Sequence, residues 1–297
     1  MTVHELSAPP TMAALYPRAL TGVVRGGLRR LPGGTSDGGR EPGLPDVELV
    51  VRDVAVDADH LAAYDRVCGF RVDDRLPVTY PHVLAFPVAM EIMTGPAFPF
   101  SVLGLVHIGN AMTQYRPFTV ADAPTFTVRT GGLGPHERGT QFEVVSEASL
   151  AGEVVWRETS TYLARGEGGS GRSGRRERGR TPEPPHPTAM WHVPADIGRR
   201  YASVAGDRNP IHLSRWAAKA FGFPRAIAHG MWTKARCLAA LGGRLPDAFA
   251  VEVRFKRPVL LPSRVGFEAR REDSHWDLTL YDPKRGTPHL TGTIGPA

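Results

Sequence analysis

The strongest constraint on how this chain can fold is that it repeats itself. Tyr64-x-x-Val67-x-Gly69 recurs as Tyr201-x-x-Val204-x-Gly206, 137 residues later. Tyr80-Pro81-His82-Val83-Leu84-Ala85-Phe86 is echoed by Phe223-Pro224-Arg225-Ala226-Ile227-Ala228-His229 at an offset of 143. Gln114-Tyr115-Arg116-Pro117-Phe118 is echoed by Phe255-Lys256-Arg257-Pro258-Val259 at 141. Three matches in one order at nearly one offset mark a duplicated unit of roughly 115 residues.

The segments outside the repeats differ in composition. The run from Gly166 to Arg180 is Gly/Ser/Arg-rich and passes into Thr181-Pro182-Glu183-Pro184-Pro185. Flexible Gly/Ser followed by stiff Pro is a linker composition. The expected layout is a Pro/Gly-rich N-terminal segment over 1–44, draped on the surface, and a first repeat over 45–164. A linker over 165–185 then leads to a second repeat over 186–297. The net charge of +6 resides in the two segments outside the repeats, with +2 in 1–44 and +4 in 165–180. The rest of the chain therefore sums to zero and no basic face for nucleic acid is expected. No apolar run reaches the ~18–20 residues of a membrane helix. The start of the chain lacks the basic and apolar pattern of a signal peptide. Cys68 and Cys237 lie far apart and in no CxxC pair, which fits a reduced, cytoplasmic setting.

Within each repeat, helices come first and strands after. In the second, Leu213 to Phe221 is Ala-rich with Ser214 near its start. Met231 to Leu241 reads as another helix, stopped by Gly242-Gly243. The period then changes to two, with Val251, Val253 and Phe255 on one face and Glu252, Arg254 and Lys256 on the other. Further strands are expected near 264–271, 276–281 and 288–294, and in the first repeat near 105–116, 125–131, 139–150 and 153–163. Helices followed by hairpin-linked strands imply an α+β fold with an antiparallel sheet.

The chemistry concentrates in one stretch, Tyr201-Ala202-Ser203-Val204-Ala205-Gly206-Asp207-Arg208-Asn209-Pro210-Ile211-His212. Pro210 removes a backbone donor and biases Asn209 away from helix, so the segment is a shaped turn. Asp207 and His212, five apart, can then point into one space. A carboxylate beside an imidazole suits proton transfer near neutral pH. Taken alone, Asp207 could equally cap the next turn and His212 be a satisfied polar residue.

With the continuation Gly222-Phe223 and Ile227-Ala228-His229-Gly230-Met231, the stretch resembles the signature of the MaoC-like, R-specific enoyl-thioester hydratase/dehydratase family. The whole chain is similar to the actinobacterial double hot-dog type, in which the first copy has lost the active residues. The likeness is strongest over 186–297 and weaker over 45–164. It implies a double hot-dog, two repeats each with a central helix wrapped by an antiparallel sheet. It also implies a substrate, a 3-hydroxyacyl or trans-2-enoyl chain carried as a thioester on coenzyme A or acyl carrier protein. On this resemblance His212 takes the proton beside the thioester carbonyl, and Asp207 serves the leaving hydroxyl or the attacking water. Gly230 offers an N–H to the thioester oxygen at a helix start. Asn209 holds the turn, and His229 packs the helix entrance or orients substrate. No metal or redox cofactor is required for eliminating water, and no nucleotide-binding glycine motif is present.

Other residues say less. Phe86 and Met90, with Met93, Phe98 and Phe100, read as core, with the lining of an acyl tunnel as the alternative. His82 and His107 lack acidic partners nearby in sequence and are expected to be structural. The first copy departs from the signature where chemistry is concerned. Counting from Gly69, Phe70 stands in the place of Asp207 and Arg75 in that of His212, while Phe86-Pro87 replaces His229-Gly230. One active site per chain is therefore expected, with Pro87 opening a helix. A hot-dog thioesterase and a non-catalytic acyl-binding module remain rival readings. A homodimer stays open beside a monomer, since two repeats already complete a pair.

Overall fold

The computed structural model describes residues 1–19, 43–165 and 186–297. Most of the expected linker, and 20–42 of the N-terminal segment, lie outside the described residues. In chain order the elements are β1 (Thr2–Leu6), a helical stretch over 12–19 (α1), β2 (Val47–Val51), α2 (Ala58–Cys68), α3 (Tyr80–Thr94), β3 (Leu105–Gln114), β4 (Thr125–His136), β5 (Gly139–Leu150) and β6 (Glu153–Arg165). The second repeat supplies β7 (Ala189–Val193), α4 (Ile197–Ala205), α5 (Pro210–Leu213), α6 (Arg215–Ala220), α7 (Gly230–Ala239), β8 (Phe249–Phe255), β9 (Ser263–Glu272), β10 (His275–Asp282) and β11 (Thr287–Gly295). Among the described residues no helix is long and apolar enough to cross a membrane.

The eleven described strands form one sheet, in the order β1-β2-β4-β5-β6-β3-β8-β11-β10-β9-β7. Outward from the β3·β8 junction the two sides carry the same topology, and β1 is the addition that breaks it. At the junction Ala111 pairs with Glu252, 141 residues on, with Gly109↔Arg254 and Thr113↔Ala250 on either side. That is the offset of the Arg-Pro motif at the ends of these two strands. The duplication is therefore written into the register: the repeats meet across a local two-fold axis. Among the described strands only β1·β2 is parallel.

The period-two segments became strands because one face of each is buried. Phe126 and Val128 in β4, Phe142 and Val144 in β5, and Val251 and Val253 in β8 are all buried at alternate positions. α3 is apolar on all sides, and Val83, Val88, Ala89, Met90 and Ile92 are buried as it runs inside the sheet. It begins at Tyr80 behind Thr79, and Pro87 sits inside it. The expectation that Pro87 opens the helix is thus corrected: Pro81 occupies the helix start, where a missing N–H costs nothing. α7 is shorter and begins at Gly230 itself. The strands β1, β2 and β7 are five residues each, too short for periodicity to reveal them. The N-terminal segment is not merely draped, since β1 extends the sheet and Leu15 of α1 is fully buried.

Candidate active site

α2 and α4 are equivalent helices, and each ends on a glycine in the left-handed region, Gly69 at φ 82° and Gly206 at φ 73°. This explains the spacing from tyrosine to glycine in the first motif. The glycine reverses the chain, and the character of the next side chain decides whether the turn carries chemistry. After Gly69 comes Phe70, whose ring stacks on Tyr64 at 6.3 Å. After Gly206 comes Asp207.

The Asp207 turn is held from several sides. Oδ1 of Asp207 accepts from the Asn209 N–H at 3.1 Å. Asn209 caps α5, its side chain accepting from the Ile211 N–H. The backbone carbonyl of Asp207 accepts from Nε2 of His229 at 3.0 Å. Nδ1 of His212 donates to the Ile227 carbonyl at 2.8 Å, which leaves Nε2 as the lone-pair nitrogen. A Cβ on Gly198 would lie 2.1 Å from the His212 carbonyl oxygen, so α4 needs glycine there for α5 to approach. The rings of His212 and His229 stack with centroids 3.7 Å apart.

The Asp207 carboxylate and ring nitrogens of His212 and His229 all lie within 4.8 Å of one another. These are the residues of this site able to hold a cation as well as to move protons. Burial pushes the Asp207 carboxyl up, but the two imidazoles and the Asn209 N–H outweigh it and hold the group below the usual carboxylate value. Burial pushes His212 below its ordinary 6.5, against the pull of Asp207. Burial, then the neighbouring His212, pushes His229 down to about 3. The resting state is a carboxylate beside two neutral imidazoles.

A pocket of about 270 Å³ opens on these groups. Asp207, Asn209, His212, His229 and Gly230 line one part of it, and His82, Phe86, Met90 and Met93 another. The latter four recur along one face of α3. Gly230 is the first residue of α7, so its N–H has no intrahelical partner. The Phe255 ring packs 3.0 Å from where a Cβ on Gly230 would stand.

One part of the pocket was not legible in sequence. His82 does have an acidic partner: its Nδ1 lies 2.8 Å from Oε1 of Glu158, 76 residues later. Glu158 is buried and also accepts from the Asn110 amide and the Ser160 hydroxyl. Asn110 in turn accepts from the fully buried Lys234 of α7 through its side-chain oxygen. Burial pushes Lys234 down to about 7 against the pull of Glu158. His107 also lines the pocket, and its Nε2 is buried without a partner. The expectation of purely structural histidines rests on sequence proximity alone. Glu158 reaches His82 of α3 from β6, and pairing of β3 with β6 sets Asn110 opposite Ser160 next to the same acid.

Residues 174–280 match the family model of the MaoC-like domain. The chain is 42% identical over 252 residues to 3-hydroxyacyl-thioester dehydratase X of Mycobacterium tuberculosis, covering 84% of this chain and 90% of that protein. The crystal structure of HtdX from the same organism superposes with a TM-score of 0.75 at 40% identity, over 84% of this chain and all of the other. A MaoC-like dehydratase from Phytophthora capsici shares the fold at 19% identity and a TM-score of 0.67, covering 86% of this chain and 96% of that one. With the duplicated hot-dog architecture and the Asp-Asn-Pro-His turn in place, the chain belongs to the MaoC-like dehydratase family.

Proposed function

We propose that the protein is a hydro-lyase that interconverts (3R)-hydroxyacyl thioesters and trans-2-enoyl thioesters, with coenzyme A or acyl carrier protein as the carrier. The observation that carries this reading is that Asp207, His212 and the helix-start residue Gly230 line one largely apolar pocket together. The M. tuberculosis relative is named for the same class of reaction.

In the dehydration direction the neutral Nε2 of His212 takes the proton from the carbon next to the thioester carbonyl. The electrons of that C–H bond move toward the thioester oxygen, where the Gly230 N–H and the positive end of α7 stabilise the charge. The C–O bond then breaks, and the departing hydroxyl receives a proton through the Asp207–His212 pair. One proton enters the pair and one leaves, so the site returns to its starting state. In hydration the same groups act in reverse, with Asp207 orienting the attacking water. Asn209 and His229 hold the turn, while Phe86 and Met90 shelter the acyl chain. A cytoplasmic location and a monomer, or a pair of such chains, complete the reading. The two cysteines are free and buried.

Purified protein mixed with crotonyl-CoA and with a long-chain trans-2-enoyl-CoA should bleach the enoyl absorbance and yield the (3R) alcohol. Release of free thiol without loss of the double bond would instead establish a thioesterase. Mainly (3S) product would contradict the assignment.

A further inference from the structure

The turn that carries Asp207 is gripped by a residue that belongs to neither repeat. Tyr16 of α1 donates its phenolic hydrogen to the Gly206 carbonyl at 3.0 Å, and the same oxygen accepts from the Arg208 N–H. Both peptide groups flanking Asp207 are thus tied to one oxygen atom. The Tyr16 side chain also lines the pocket beside Asp207. Burial, and then the charge of Asp207, raise the phenol above its ordinary value, so it stays protonated and able to donate.

The helix bearing Tyr16 is anchored independently of Asp207. Leu15 is fully buried in the core. Met12 packs on Gly206, where a Cβ would stand only 3.2 Å from its Cγ. Arg18 forms an ion pair with Glu91 of α3 at 2.8 Å. The hydroxyl is therefore delivered by a segment docked at three other points, and the geometry is that of a clamp closed over a turn.

We propose that Tyr16 is a positioning residue for the proton-transfer pair: by fixing the two peptides on either side of Asp207, its hydroxyl aims the carboxylate at the substrate. This rests on the acid–base reading of Asp207 given above. A misplacement of catalytic groups by about 1 Å can cost around 10²-fold in rate, so a loosened turn is expected to show in kcat.

Tyr16→Phe removes the hydroxyl and keeps the ring that walls the pocket. The expected result is a fall in kcat of roughly 10- to 100-fold with KM changed by less than about 2-fold. Circular dichroism and the thermal midpoint report whether the variant is folded. The decisive comparison repeats Tyr16→Phe in the Asp207→Asn background. A residue that acts by aiming the carboxylate has nothing left to aim there, and the further loss should be under about 2-fold. A residue that merely supports the fold would lower activity by the same factor in both backgrounds, and that result overturns the proposal. So does an unchanged kcat in Tyr16→Phe when Asp207→Asn is inactive, which would leave the catalytic reading intact. An active Asp207→Asn protein would remove the catalytic reading and this one with it. Should Tyr16→Phe unfold, 4-fluorophenylalanine at position 16 tests the same point, with kcat near wild type counting against the clamp.

Discussion

At the residue scale, the proposed reaction depends on a base that is neutral and a carboxylate that is charged at the same pH. General acid–base groups contribute about 10²–10⁴-fold. Asp207→Asn and His212→Gln should each lose activity on that scale while unfolding at wild-type temperatures, as checked by steady-state kinetics and melting curves. Because His212 titrates below 6.5, kcat/KM should stay level down to about that pH and fall only below it. A second ionisable group tests the balance between burial and charge. Asp65 is fully buried, and burial pushes its carboxyl up to about 7 against the opposing pull of the Asp73 N–H. The folded state thus binds a proton more tightly than the unfolded chain. Stability contributed by the neutral acid is complete below about 3.8 and is lost as pH rises toward 7. Asp65→Asn should therefore raise the melting temperature at pH 8 and change it little at pH 4.

At the scale of elements, the two copies of one helix end offer a controlled comparison. Gly69 closes α2 and Gly206 closes α4, both with positive φ. A Cβ in that conformation costs roughly 1 kcal/mol. Gly69→Ala and Gly206→Ala should each lower the melting temperature, but only Gly206→Ala should lower kcat, since only its turn carries Asp207. Equal effects on kcat would show that the first turn also serves the reaction. Elements with a strong local signature were legible: β3 to β6 and β8 to β11 follow their alternation, and Ser214 caps α6 as a serine before an Ala-rich run should. The start of α3 is ambiguous in sequence because Pro87 is as compatible with a first turn as Pro81, and the helix begins at the earlier one. The short strands β1, β2 and β7 stayed hidden because five residues carry little pattern. Asp207, Asn209 and His212 stood out as candidates because Pro210 forces a turn among them and the surrounding residues resemble the family signature, and the structure brings Asp207 and His212 together. The Glu158–His82 contact and the Tyr16 clamp depend on residues 76 and 190 positions apart, which no local pattern records.

At the scale of the whole molecule, the pocket draws on both repeats, but the Asp207 turn belongs to one. A tight, unreactive acyl-thioester analogue should saturate at one equivalent per chain in calorimetric titration. Two equal sites would mean that the Phe70 turn is also functional. The mid-sheet pairing of β3 with β8 has a consequence for how such a molecule can change over generations. In an assembly of two identical chains, every substitution is made twice, and a drift away from Asp or His would strike both turns at once. Here the two turns are spelled separately in one continuous ladder, and the partnership cannot dissociate while that ladder holds. On the reading proposed above, one repeat is thereby free to carry Phe70 in place of an acid and Phe86-Pro87 in place of a histidine–glycine pair, while the other keeps Asp207, His212 and Gly230. A symmetric fold can then hold a division of labour within a single inheritance.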